Sequence, residues 1–499
     1  MLDKKFLPCY NEENRQRAER GKDVFYLIFA LSFILATFLS LWFARRKGTD
    51  LLDKIIKIST VAFIVFSLVD DFLPDLFMCA HSADFLETMG STGFHALVRW
   101  FSLVCFVVLP IAVYRKNKYF ERIASFFCLP AAIVKVICFY QYIEYFTANS
   151  NSGLQTVRII PQEFKDLLVN EGFRSVFFGL TCLCQLTALV LLTYRNRKNL
   201  AVKKNEVVNL ILIFIGVTYI SLPIYVPQHL FGLSDMLISR FSLIHIIWMV
   251  GIVAIIAALY FIFKNKSYEA RYLLVLALSW ALMMQFNQMF TASSELNVMK
   301  LPLQLCNLGS YLALAMLLTK NEKIYHFALV VNVVGAVIAI VILDINKDFA
   351  HITNLWTVHY IAEHTKVLVV PILCLLLKIF KPIDLKSIKH FSIGFTVYYL
   401  FVFLLGTVSN GLYRMCEGKD IQNFFYANHL FMFDKEIAGN LVGFTDPLFE
   451  NCVIKLGAFE IYPLVQVLVY IVFMAICLGV YFMIYLLSKK LRNQSSELT

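Results

Sequence analysis

The chain has 499 residues, 59% of them hydrophobic and 16% charged, with a formal net charge of +11. A soluble domain carries roughly 25% charged residues, and apolar stretches long enough to cross a bilayer recur along the whole chain, so a soluble globular fold is excluded. The positive excess does not point to nucleic acid: Lys and Arg sit in short loops between apolar stretches, the topology signal of a membrane protein, and no basic patch is interleaved with aromatics.

In chain order, residues 1–23 form a polar tail with no adjoining small-residue cleavage site, unlike a cleaved signal peptide. Thirteen apolar spans follow, near 24–44, 56–78, 95–114, 121–146, 175–194, 206–226, 240–263, 272–291, 303–319, 325–343, 357–380, 391–412 and 459–487. Each must satisfy its own backbone hydrogen bonds in lipid, which predicts helices; no segment alternates like a barrel strand. The expected fold is therefore all-α, a polytopic membrane protein of about 13 transmembrane helices. The loops after the odd-numbered spans are basic, as in RKNKYFER after the third and YRNRKNLAVKKN after the fifth. The positive-inside rule places them and the tail 491–499 in the cytoplasm, with the N-terminus outside and the protein multi-pass in the cell membrane. Most of the twelve cysteines fall in apolar segments as small hydrophobes. Cys416 and Cys452 share one long polar loop, and would pair if it faces an oxidising space.

A shift of 204 residues superposes the segment from Leu97 on that from Leu301 without gaps, with Lys116-Asn117 on Lys320-Asn321, Ala124 on Ala328 and Ala132 on Ala336. A shift of 200 puts Gln228-His229-Leu230-Phe231 on Asn428-His429-Leu430-Phe431. The reading is two parallel six-helix repeats plus a final helix, with an N-terminal membrane repeat over 24–234 and a C-terminal one over 235–490.

Ionisable groups within a bilayer need a reason. His245, Cys306 and His364 lie near the start of three spans that run inward from the outer face, so they are expected at one depth, with Asn332 and Asp344 on the intervening span. A cysteine beside a histidine suits acyl transfer through a thioester, with Asp344 or Asn307 orienting the imidazole. The competing reading is packing, with Cys306 a small core residue. A metal site at His245, Cys306 and His364 lacks any tight ligand spacing, and neither metal nor cofactor is expected. The first repeat has Ser102 opposite Cys306 and no histidine opposite His364, but it holds Asp70, Asp71 and Asp75 in its second span, Arg99 in its third, and Lys135 and Glu144 in its fourth. Those charges form either a buried ion pair or an ion or headgroup site. His81, His95, His326, His351, His359 and His390 are expected in loops or near span ends, solvated or interfacial, and His229 and His429 at the mouth of each half.

The run LPLQLCNLGSYLALAMLLTKNEK and the helix after it resemble the YwaF-like integral membrane family over roughly 235–490. Pro302, Cys306 and Asn307 match its Leu-Pro-Leu-His-Leu-Cys-Asp/Asn run, with Gln304 in place of the usual His; Gly335 and Ala336, Asp344 (without its proline) and His364 match its later motifs. Glu363 and Thr365 replace the neighbours of the motif histidine, His245 lies in a segment like the family's first helix, and Asn428 in a degenerate form of its Asn-Tyr loop. The resemblance implies a membrane phospholipid acyltransferase or acyl hydrolase with Cys306 as acyl acceptor and His364 as base, and membrane lipids rather than nucleic acid as partners. The alternatives are a transporter or flippase working through Asp70, Asp71 and Lys135, and a non-catalytic membrane scaffold.

Overall fold

The computed structural model describes residues 12–67, 92–138, 163, 166–167, 170–224, 226–290, 297–343, 345, 350–419, 421–433, 449 and 452–496. These residues are almost entirely helical. Seven helical segments among them are long and apolar enough to cross a membrane: Val24–Arg46, Gly172–Asn196, Leu243–Phe263, Glu322–Ile342, Leu355–Leu376, Leu385–Met415 and Pro463–Leu487. The apolar segments Trp100–Arg115 and Leu305–Thr319 are shorter. Expected spans two and four run on beyond the described residues, and the sixth coincides with a 14-residue helix, about 21 Å long against a hydrocarbon core of about 30 Å. An all-α polytopic membrane fold follows from the seven segments.

The chain divides into two compact units, the first comprising Met1–Asp75, Phe94–Ser152 and Glu163–Leu222, the second Leu76–Gly93, Gly153–Gln162 and Pro223–Thr499. The described helices of the first are α1 (Glu12–Lys47), α2 (Thr49–Ser67), α3 (Thr92–Arg115, its first two residues grouped with the second unit), α4 (Lys118–Ile123), α5 (Leu129–Ile137), α6 (Glu171–Asn196) and α7 (Val207–Ile220). A π-helical turn, Ala124–Cys128, joins α4 to α5 just before Pro130. Proline has no N–H to give to a preceding turn, and the wider turn absorbs the mismatch. α2 packs along α6, which also meets α1 and α5.

In the second unit, α8 (Val226–Phe231), α9 (Leu243–Phe263), α10 (Tyr268–Phe290), α11 (Leu305–Thr319), α12 (Glu322–Ile342), α13 (Leu355–Leu376), α14 (Ile388–Met415) and α15 (Pro463–Ser496) follow in order. A hairpin of β1 (Ile454–Leu456) and β2 (Phe459–Ile461) precedes α15. The core is the set α10, α11, α12 and α13, with α9 against α13, and α14 and α15 against α12. α12 buries Tyr325, Ala328, Leu329, Val331, Asn332, Gly335 and Ala336 on most of its circumference. By contrast α9 turns Leu243, Ile247, Val250 and Val253 outward, an apolar face suited to lipid.

Glycine sets the closest approach. A Cβ on Gly335 of α12 would lie 2.8 Å from the Cys306 backbone nitrogen, and one on Gly309 of α11 2.7 Å from Asn332 Oδ1. The two helices therefore touch through backbone, and Asn332 Nδ2 donates to the Gly309 carbonyl at 3.1 Å. α13 starts on Asn354, whose side chain accepts from the Trp356 N–H, while Gln228 of α8 takes the Leu355 N–H. It stops on Lys378 in the left-handed region, with Ile379 N–H returning to the Cys374 carbonyl.

Candidate functional site

Pro302 decides how Cys306 is presented. With no N–H and a fixed φ, it blocks a helix over the preceding run, and residues 297–304 form a short 3-10 turn and an irregular segment leading into α11. That segment is clamped from outside. Met299 N–H donates to the Tyr426 carbonyl, Tyr398 of α14 donates to the Leu303 carbonyl at 2.5 Å, and Gln304 Oε1 accepts the Leu430 N–H at 3.2 Å. Because Gln304 is engaged there, it places no side-chain cap on α11. The first N–H groups of α11 lack helical acceptors, and those of Cys306 and Asn307 face the half-buried sulfur. The thiol donates to Asn307 Oδ1 at 3.3 Å.

His364 lies on α13, 5% exposed. Its Nδ1 is 2.7 Å from the Tyr360 carbonyl one turn earlier, and the Tyr360 ring packs against it, tilted by 42° with centroids 4.2 Å apart. A carbonyl only accepts, so Nδ1 carries the proton and Nε2 holds a lone pair. Tyr360 is itself held by its hydroxyl on the Ala339 carbonyl of α12, and Trp248 of α9 donates to Thr365 at 2.9 Å. The imidazole is thus oriented by a backbone carbonyl. Of the two expected orienters, Asn307 serves the thiol, and Asp344 falls outside the described residues. Among the described residues no hydrogen bond joins Cys306 to His364.

Glu363, beside His364 on α13, is the buried charge of this region. It is 4% exposed and accepts from Ser310 Oγ at 3.3 Å. His359 Nε2 lies 2.8 Å from it, one helical turn away. Cys306, Tyr311 and His364 are all within its electrostatic reach. His359 is consequently not a solvated span-end residue: its side chain is 14% exposed and paired. One turn further along α13, Lys366 donates to Gln285 of α10. The readable signal was a His and a Glu at i,i+4 in an otherwise apolar helix.

His245 does not join this group. It is fully buried; Nδ1 accepts the Phe241 N–H at 2.9 Å, and Nε2 donates to the Ile340 carbonyl at 2.7 Å. With both nitrogens in use it clips the start of α9 to α12 and has no lone pair for a proton or a metal. Among the described residues no cluster of three or more His, Cys, Asp and Glu is placed to hold a metal ion. Asn332 is committed to the α11–α12 contact. Asn428 and His429 are buried in the clamp: Asn428 Oδ1 accepts the Phe433 N–H at 3.0 Å, and His429 Nε2 meets the Val298 carbonyl at 3.0 Å. His326 is 8% exposed against the Lys381 carbonyl and His351 meets the Ser234 carbonyl, so both are structural rather than solvated; His390 is exposed. Cys416 and Cys452 are free thiols.

In the first unit, Lys135 is 2% exposed and lies 5.1 Å from the Phe178 ring centroid. Asp70, Asp71, Asp75, Glu144 and His81 fall outside the described residues, as do the side chains of His95, Arg99 and His229. Ser102 sits in the body of α3, away from any helix start.

Residues 238–485 match the TMEM164 family. That stretch contains His245, Cys306, Glu363, His364 and Asn428. None of the curated proteins and none of the solved structures compared with the chain matches it.

Proposed function

We propose that the second unit is a membrane-embedded acyltransferase or acyl hydrolase acting on lipid esters, with Cys306 as nucleophile and His364 as base. One observation carries this reading: a thiol at an uncapped helix start and an imidazole with an open Nε2 stand on adjacent helices, with the buried Glu363 carboxylate within electrostatic reach of both. In the first step the thiol turns from Asn307, Sγ bonds to the ester carbonyl carbon, and the thiol proton passes to His364 Nε2. The ester C–O bond breaks and the proton goes to the departing alkoxide, leaving an acyl thioester on Cys306. An acceptor hydroxyl, or water, then attacks the thioester; His364 takes its proton and returns it to the sulfur. The N–H groups of Cys306 and Asn307 are the donors for the developing oxyanion.

Kinship to the YwaF-like family, thirteen crossings, a parallel duplication and an outward-facing N-terminus in the cell membrane are parts of the same proposal. They put the site near the outer leaflet, where a lipid ester enters sideways from the bilayer. The test is an alkyne-tagged long-chain acyl ester offered to the protein in lipid nanodiscs. The expected product is a tag on Cys306 that neutral hydroxylamine removes, as a thioester requires, and that Cys306→Ala abolishes. Undiminished labelling of Cys306→Ala would sink the reading.

A further inference from the structure

Glu363 is an expensive residue in its place. A carboxylate inside an apolar bundle loses several kcal/mol of hydration unless partners replace the water, and helix formation in α13 does not require it. Ser310 and His359 supply those partners. Ser310 lies one turn beyond Cys306 on α11, so the Glu363 side chain spans from the helix of the imidazole to the helix of the thiol. It is also, among the described residues, a buried carboxylate within electrostatic reach of both Cys306 and His364.

His364 needs such a group. Its Nδ1–H is given to the Tyr360 carbonyl, which fixes the tautomer but carries no net charge. When Nε2 takes the thiol proton, the S–H bond is exchanged for an N–H bond and a thiolate–imidazolium pair replaces two neutral groups. In a low-dielectric interior that imidazolium is costly unless an anion stands beside it. A lone thiolate would be repelled by the same carboxylate, so the ion pair is favoured over the thiolate alone.

We infer that Glu363 is a positioning residue for acyl transfer, the fixed counter-ion of the His364 imidazolium, held in place by His359 and Ser310. This rests on the Cys306–His364 reading above. The role differs from that of an inert bridge between α11 and α13, and the difference can be read from two substitutions. Glu363→Gln keeps the length and the acceptor for Ser310 but removes the charge; Glu363→Asp keeps the charge and shortens the reach. A counter-ion predicts that Asp outperforms Gln, and a packing bridge predicts the reverse order.

The experiment measures the rate of hydroxylamine-sensitive labelling of the full chain in nanodiscs by the alkyne-tagged ester, alongside thermal unfolding. Expected are labelling about 100-fold slower for Glu363→Gln with unchanged unfolding, and recovery to within about tenfold for Glu363→Asp. Gln labelling as fast as wild type, or faster than Asp, would overturn the inference while the loss of label in Cys306→Ala left the nucleophile assignment standing. If Glu363→Gln does not fold, Ser310→Ala decides: it loosens the carboxylate without removing it and is expected to slow labelling several-fold, and an unchanged rate would overturn the inference.

Discussion

In both units a helix ends on a lysine in the left-handed region and the next begins on a capping asparagine. Lys116 (φ 49°) precedes Asn117, which accepts N–H groups from Tyr119 and Phe120; Lys320 (φ 51°) precedes Asn321, which accepts from Lys323 and Ile324. Around this shared turn the units diverge in where they keep their charges. The first sets a cluster of ion pairs at the turn itself, although Lys135 is buried in its body. Asp53 takes Lys116 at 2.6 Å and Arg195 at 2.9 Å, Arg195 also reaches Glu121 at 2.8 Å, and Glu206 takes Arg122 at 2.9 Å and Lys118. The second carries His359, Glu363, His364 and Lys366 along the body of α13. Charge at the end of a bundle is cheap and fastens loops; charge in its middle must be held by neighbours and invites a chemical explanation.

The largest expected effect comes from trying to move the site from one unit to the other. Cys306→Ala should abolish acyl labelling, and adding Ser102→Cys should restore none of it. The reason is local structure rather than residue type. α3 runs straight through the positions that the proposed duplication sets opposite 297–304, so a thiol at 102 has helical N–H groups already bonded on either side. In the second unit Pro302 ends that continuity and frees the first N–H groups of α11 to face the sulfur. Recovered labelling in the double variant would show that the helix start is dispensable.

His245→Ala comes next, with an effect on stability rather than chemistry. It strands the Ile340 carbonyl and leaves a cavity, which together cost about 3 kcal/mol. Thermal unfolding in detergent should fall clearly, while labelling per folded molecule should hold within about twofold. A selective loss of labelling would return His245 to the site. A smaller loss, about 2 kcal/mol, is expected for Gly335→Ala, accompanied by slower labelling, because the new methyl meets the backbone nitrogen of Cys306. The proposed duplication sets Ala131 of the first unit opposite Gly335, and Ala131→Gly should cost no more than about 1 kcal/mol. Equal responses at the two positions would erase the contrast in helix contact.

The seven long apolar helices were legible in the sequence because their apolar runs are long. Cys306 and His364 stood out because ionisable and nucleophilic groups are scarce in such runs. The functions of their neighbours were not legible, for a consistent reason. His245 and His364 are both held by backbone carbonyls, of Ile340 and Tyr360, and a carbonyl leaves no trace in residue identity. The side-chain orienter that residue types suggest, Asn307, instead holds the thiol. Glu363 was visible as a charge in an apolar helix, but as a departure from a motif it read as loss. Its value depends on Ser310, 53 positions away, a pairing that only packing reveals.

The smallest effect concerns acid, and it separates the units by mechanism. Glu206, in the turn before α7, has its carboxyl held down to about 2 by Lys118 first, then by the Lys203 N–H and Arg122. Burial alone would raise the Asp53 carboxyl, but hydrogen bonds from Lys116 and Arg195 outweigh it and bring it below its usual value. Each folded carboxyl is thus more acidic than its unfolded counterpart near 4. Their contributions are complete above that value and fade as pH falls through it toward 2. Glu206→Gln should therefore lower the thermal unfolding temperature modestly at pH 6, with the gap to wild type narrowing by pH 3. These pairs are partly exposed, so 0.5 M salt should shrink the same gap at pH 6. The Glu363 group lies beyond the reach of salt, and its substitutions should show no such dependence. A salt-sensitive Glu363→Gln phenotype would mean that water reaches the middle of the second unit as freely as it reaches the end of the first.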